Sequence, residues 1–152
     1  MMMPETRESA QTICRGAMRA LAQRGFATLA EVPLADGRRA DILALGRDGA
    51  LVVVEIKSSV ADFRADRKWP EYRQWCDRLY FAVAEGFPTE IIPEECGLIL
   101  ADGFGAEFLR EPQSQKLDPA RRRAVHLRFA RTAGARLQRL TDPGAANPET
   151  VI

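Results

Sequence analysis

The sequence predicts an α/β domain: a mixed β-sheet flanked by helices, with an added basic helix near its C-terminal end. Two observations carry this. A segment with helical periodicity is followed by three β-rich runs joined by turn residues. A second helix-like stretch then precedes another short apolar run, and strands alternating with helices imply a sheet with covered faces. At 152 residues with net charge +1, the chain fits one domain spanning 1–152.

From Glu5 to Arg24, Ile13, Ala17, Ala20 and Leu21 recur at helical spacing, and Gly25 supplies a stop. Phe26 to Leu34 reads as a strand ending near Pro33, followed by the turn cluster Ala35-Asp36-Gly37. Arg38 to Leu45 and Ala50 to Ser59 flank the turn Gly46-Arg47-Asp48-Gly49, which makes a hairpin. Asp62 to Asp77 predicts a second helix, with Pro70 as a point where it would break. Leu79 to Ala84 and Gly97 to Ala101 read as buried strands, and Gly105 to Arg110 as an edge strand. Asp118-Pro119 is an N-cap with proline in the first turn, starting a helix over about 119–140 that stops before Asp142-Pro143-Gly144. Residues 142–152 read as a loose tail.

Composition excludes several classes. With 46% apolar and 28% charged residues the chain is globular and not disordered. Its apolar runs, Ala50 to Val54 among them, are far short of the ~20 residues of a bilayer span. No basic-then-apolar leader begins the sequence, and Cys14, Cys76 and Cys96 form no CxxC pair. A reducing cytoplasm is therefore expected, with no membrane partner. His126 is the only histidine and lies among Arg121, Arg122, Arg123 and Arg128, so a His-rich zinc site is excluded.

The chemistry concentrates in Asp41, Glu55 and Lys57. If Arg47-Asp48-Gly49 forms a three-residue loop with Gly49 in the left-handed region, Leu45 pairs with Leu51, Leu43 with Val53, and Asp41 falls opposite Glu55. Two carboxylates facing each other repel unless a cation lies between them. Two carboxylates with a main-chain carbonyl and water suit Mg²⁺, and Mn²⁺ as its substitute. Alternation puts Lys57 on the face of Glu55, and it is one of three lysines beside nineteen arginines. Glu-x-Lys is common on the solvent face of hairpins, but both faces of these strands are apolar, so acids at their ends need a partner or a ligand.

Asp41, thirteen intervening residues, then Glu55-Ile56-Lys57, in a helix–three strands–helix–strand order, resembles the PD-(D/E)XK nuclease superfamily with its restriction-endonuclease-like core over about residues 9–110. The stretches from Arg38 to Ile42, Val54 to Ser59, Asp62 to Trp69 and Asp77 to Val83 are also similar to the bacterial MmcB-like DNA repair proteins. The resemblance implies a Mg²⁺-dependent DNA nuclease acting in repair, with DNA and other repair proteins as its partners. Asp41, Glu55 and the Ile56 carbonyl would hold the metal, and Lys57 would orient the attacking water and stabilise developing charge. Ala40 stands where the superfamily motif has proline. Glu31 or Glu8 would supply an additional acid, Glu31 being preferred. Lys68, Tyr72 and Gln74 of the second helix are further candidates, beside the plainer reading of that helix as packing residues and a solvated face. The alternative function is a catalytically inactive DNA-binding or adaptor module that keeps the nuclease fold.

Overall charge hides an asymmetry. Residues 119–141 contain seven arginines and no acid, whereas 85–111 contain seven acids and Arg110. On a helical projection Arg121, Arg128, Arg136 and Arg139 share one side, and Phe129, Ala133, Leu137 and Leu140 the other. The apolar side is expected to dock, leaving the basic side for DNA phosphates or for the acidic connection of the same chain.

Overall fold

A computed structural model describes residues 7–144, with side chains from residue 9; most of the expected tail, and the side chain of Glu8, lie outside the described residues. The helix α1 (Arg7–Gln23) is followed by β1 (Ala27–Pro33), β2 (Arg39–Leu45) and β3 (Leu51–Ile56). Next come the short helix α2 (Val60–Ala65), a 3₁₀ segment (Trp69–Trp75) and β4 (Arg78–Val83). A second 3₁₀ turn (Thr89–Ile91) leads to β5 (Gly97–Ala101), β6 (Ala106–Arg110) and the long helix α3 (Pro119–Thr141). One six-stranded sheet runs in the order β1-β2-β3-β4-β5-β6. Its first three strands are antiparallel, β3, β4 and β5 are parallel, and β6 returns antiparallel. The α/β class is therefore as expected. Among the described residues no helix is long and apolar enough to cross a membrane.

Both sheet faces are buried, which is why β3 reads as a nearly continuous apolar run. Ile13, Ala17 and Leu21 of α1 pack on Ile42, Val52, Val54, Ala82 and Ile99. Leu43, Leu51, Val53, Phe81 and Val83 face Tyr72, Trp75, Val125 and Phe129. Each fully buried aliphatic or aromatic side chain contributes about 1.5–3 kcal/mol relative to exposure. Gly16 lets α1 approach closely, since a Cβ there would lie 1.8 Å from the Asp102 carbonyl oxygen.

The hairpin has the register that its loop chemistry predicts. Gly49 has φ of 88°, the Gly46 amide donates to the Ala50 carbonyl at 2.8 Å, and Leu45 pairs with Leu51 and Leu43 with Val53. Regular pairing of β2 with β3 ends at Ile42 and Val54. One residue further on, strand alternation itself breaks: Ala40 and Leu43, three apart, lie in the same core cluster, as do Val32 and its neighbour across the break, Leu29. Glu31, opposite Asp41 in this register, has φ of 51°, a left-handed conformation that costs a non-glycine residue free energy.

Two expectations are corrected. The second helix does not run from Asp62 to Asp77. Ser59 caps α2 by accepting from the Asp62 amide, and the helix ends at Asp66, whose carboxylate accepts from the Lys68 amide and from Lys57 Nζ. The break thus precedes Pro70, which lies in the first turn of the 3₁₀ segment that begins at Trp69; proline also disfavours helical geometry at the residue before it. The face of α3 that docks is Val125, Phe129, Thr132 and Ala135, whereas Leu137 and Leu140 are 62% and 81% exposed. Arginines cause the rotation. Arg122, Arg128 and Arg136 lie along the docked stripe and send their guanidinium groups to Asp77, the Pro33 carbonyl, and the Ala30 and Glu31 carbonyls. A residue with an apolar stem and polar tip serves on the packed side as well as in water.

Candidate active site

Where β2 and β3 stop pairing, their side chains take over the hydrogen bonding. The Asp41 amide donates to Glu55 Oε2 at 3.0 Å, and the Ile56 amide donates to Asp41 Oδ2 at 2.8 Å. Each carboxylate thus commits one oxygen to the opposite backbone and leaves the other without a backbone donor. The structure brings Asp41 and Glu55 together as the hairpin register predicts.

Neither acid has a full complement of compensating charge. Glu55 is only 4% exposed; burial, then the Asp41 charge, push its carboxyl up to about 8. Asp41 is also raised, chiefly by burial and despite the Ile56 amide and the nearby Lys57 ammonium. Buried acids held above the usual carboxylate range in a cleft are a mark of functional sites, though structural networks shift acids as well.

Lys57, 6% exposed, reaches Asp66 Oδ2 with its Nζ at 2.7 Å, and its charge acts favourably on both Asp41 and Glu55. Asp66 stays below the usual carboxylate range: its own desolvation is outweighed by the bond from Lys57 and by backbone donors. It is the positioning residue that the sequence reading missed, because it falls in a charged run that looks like a solvated helix. Tyr72 donates from its hydroxyl to the Arg39 carbonyl at 2.9 Å, and burial followed by the Glu55 and Asp41 charges holds its phenol far above the ordinary tyrosine range.

These groups open into a cleft of about 940 Å³ lined by Asp41, Glu55, Ile56, Lys57, Asp66 and Tyr72, and also by Arg15 and Arg19 of α1. Glu31 also lines it, but its carboxylate is 67% exposed and reaches Arg39 at 3.8 Å. Lys68 and Gln74 do not line the cleft: Lys68 is exposed, and the Gln74 side-chain oxygen accepts from Arg121. The α3 arginines are engaged elsewhere. Arg121 also sits over the Trp75 ring, Arg128 and Arg136 bond to β1 carbonyls, and Arg139 is half-buried with an interaction of its own. His126 Nε2 lies 2.8 Å from the Gly49 carbonyl, tying α3 to the hairpin loop.

The residue set bears on which metal would fit. Among the described residues no cluster of three or more His, Cys, Asp or Glu side chains converges. A closed protein cage, as for structural zinc, is thus unsupported. One buried and one half-buried carboxylate, each with an oxygen that no backbone amide takes, fit Mg²⁺, which binds through one or two carboxylates and keeps several waters.

The molecule is an α/β domain with an open, charge-bearing site at the diverging ends of two central strands. The family described as "DNA repair protein MmcB-like" matches residues 3–144, and the chain belongs to this MmcB-like family. The solved structure of SPO1766 from Silicibacter pomeroyi, a protein of unknown function, is similar at 45% identity and a TM-score of 0.87, covering 91% of this chain and 95% of that one. No curated protein matches.

Proposed function

We propose that this member of a DNA repair family is a Mg²⁺-dependent nuclease that hydrolyses phosphodiester bonds in DNA. The observation that carries the reading is the pair of half-buried Asp41 and buried Glu55, short of positive charge, beside Lys57 and open to a cleft of about 940 Å³. Asp41, Glu55 and the Ile56 carbonyl would hold the metal, which when bound polarises a phosphoryl oxygen and lowers the pKa of water.

The chain's own groups supply the rest. Lys57, oriented by Asp66, presents an ammonium to the charge that develops on the phosphoryl oxygens, and a preplaced cation is worth most where water is largely excluded. Tyr72 ties the backbone at Arg39 to the wall of the cleft, which fixes the strand from which Asp41 projects. Arg15, Arg19 and Arg39 line the cleft and offer guanidinium groups to the phosphates of a strand.

The test is cleavage of single-stranded, duplex and flapped DNA in Mg²⁺ and in Mn²⁺. The proposal expects cleavage that EDTA abolishes and that Asp41→Ala and Lys57→Ala each remove while folding is kept. Cleavage surviving both substitutions, or salt-sensitive binding with no turnover in either metal, would overturn it; the second outcome identifies the non-catalytic adaptor.

A further inference from the structure

Phe104, at the tip of the turn between β5 and β6, is 81% exposed, yet the turn that carries it is rigidly built. Asp102 Oδ1 accepts from the Phe104 amide at 2.7 Å and from the Gly105 amide at 2.9 Å, and the Asp102 amide donates back to the Gly105 carbonyl. Gly16 seats the turn directly on α1, and a Cβ on Gly103 would touch Thr12 at 3.3 Å. A bare aromatic ring is thus held in water by a fixed backbone.

The ring adjoins the cleft through a single residue. Arg19 lines the cleft, and its Nη1 donates to the Phe104 carbonyl at 3.4 Å. One turn earlier on the same helix, Arg15 also lines the cleft, is exposed, and makes no ion pair among the described residues. The two arginines are separated by about 6 Å along the helix axis, close to one nucleotide of extended strand. The turn lies at the same end of the sheet as Asp41 and Glu55, since β3 and β5 run parallel through β4. Two strand spacings separate β3 from β5, about 10 Å.

A row of cations leading from a cleft to an exposed ring matches the way unpaired strands are held, with phosphates on positive charge and a base stacked on an aromatic face. A duplex offers no free base face. We propose that the substrate strand leaves the cleft unpaired along α1, its phosphates at Arg15 and Arg19 and one base stacked on Phe104. This rests on the nucleic-acid reading of the cleft and names the form of nucleic acid it takes.

The experiment uses the full chain in EDTA, where no cleavage occurs. The probes are a single-stranded oligonucleotide of about twelve residues carrying 2-aminopurine at successive positions, and a blunt duplex of the same sequence. The proposal expects quenching of the fluorescent base at one position of the single strand. Phe104→Ala should abolish the quenching and weaken single-strand binding about tenfold, while Phe104→Tyr retains both and duplex binding changes little. Arg15→Ala and Arg19→Ala should each lower the salt dependence of single-strand binding by roughly one released counterion. No position-specific quenching, quenching unaffected by Phe104→Ala, or an equal loss on the duplex would overturn it. Quenching without cleavage in Mg²⁺ refutes the nuclease reading alone, and cleavage without quenching refutes this inference alone.

Discussion

Strand β3 has a buried carboxylate at each end, and the two ends are treated in opposite ways. At its start, Asp77 accepts from the Leu51 amide at 2.8 Å and binds Arg122 through both carboxylate oxygens. Burial opposes its charge, but Arg122 and the backbone donors outweigh that and hold Asp77 below the usual carboxylate range. At its finish, Glu55 and Asp41 receive one backbone amide each, share the influence of a single lysine, and are pushed up. An acid whose partners are all supplied by the fold is structural. In the proposed nuclease, the pair left short of positive charge would receive it from the bound metal.

The largest effect that would sharpen this contrast is catalytic. Lys57→Ala or Asp41→Ala should lower DNA cleavage in Mg²⁺ by about a thousandfold, some 4 kcal/mol of barrier, with the circular dichroism spectrum retained. At the other end, Asp77→Ala should leave the cleavage rate per folded molecule unchanged while costing about 3 kcal/mol in urea denaturation, because it strands Arg122 and the Leu51 amide. If the two substitutions exchanged these effects, the division between structural and functional acid would be wrong.

The pH dependence of stability in EDTA separates the ends next. Glu55 has a folded pKa above its unfolded value, so the folded state binds the extra proton and stability falls as pH rises from about 4.5 to about 8. Glu55→Gln should flatten that slope and raise stability at pH 8 by about 2 kcal/mol. Asp77 has a depressed folded pKa, so its contribution is present above its unfolded value of 3.8 and is lost as pH falls below that. Smallest is Tyr72→Phe, which removes one hydroxyl bond to the Arg39 carbonyl and should cost about 1 kcal/mol by the same denaturation assay.

What could be read beforehand follows from where physical constraints are local. Gly46 and Gly49 fix the hairpin loop and with it the register of the two strands, so the placement of Asp41 near Glu55 was legible. The break in alternation at Glu31 and Asp41 has no glycine or proline to announce it. Asp66 looked like one charge among several between Asp62 and Lys68; only the folded chain turns it toward Lys57. The docked face of α3 is misjudged from sequence because Arg128 and Arg136 read as solvent-facing, whereas their targets are backbone carbonyls far away in sequence.

Those arginines have a further consequence. As the first strand in the order, β1 has a neighbour on one side only, and strands so placed invite backbone pairing with other molecules. Arg128 and Arg136 bond to the Pro33, Ala30 and Glu31 carbonyls, and place a charged helix along that flank. The C-terminal helix therefore guards against edge-to-edge aggregation, which gives its basic character a reason that requires no DNA.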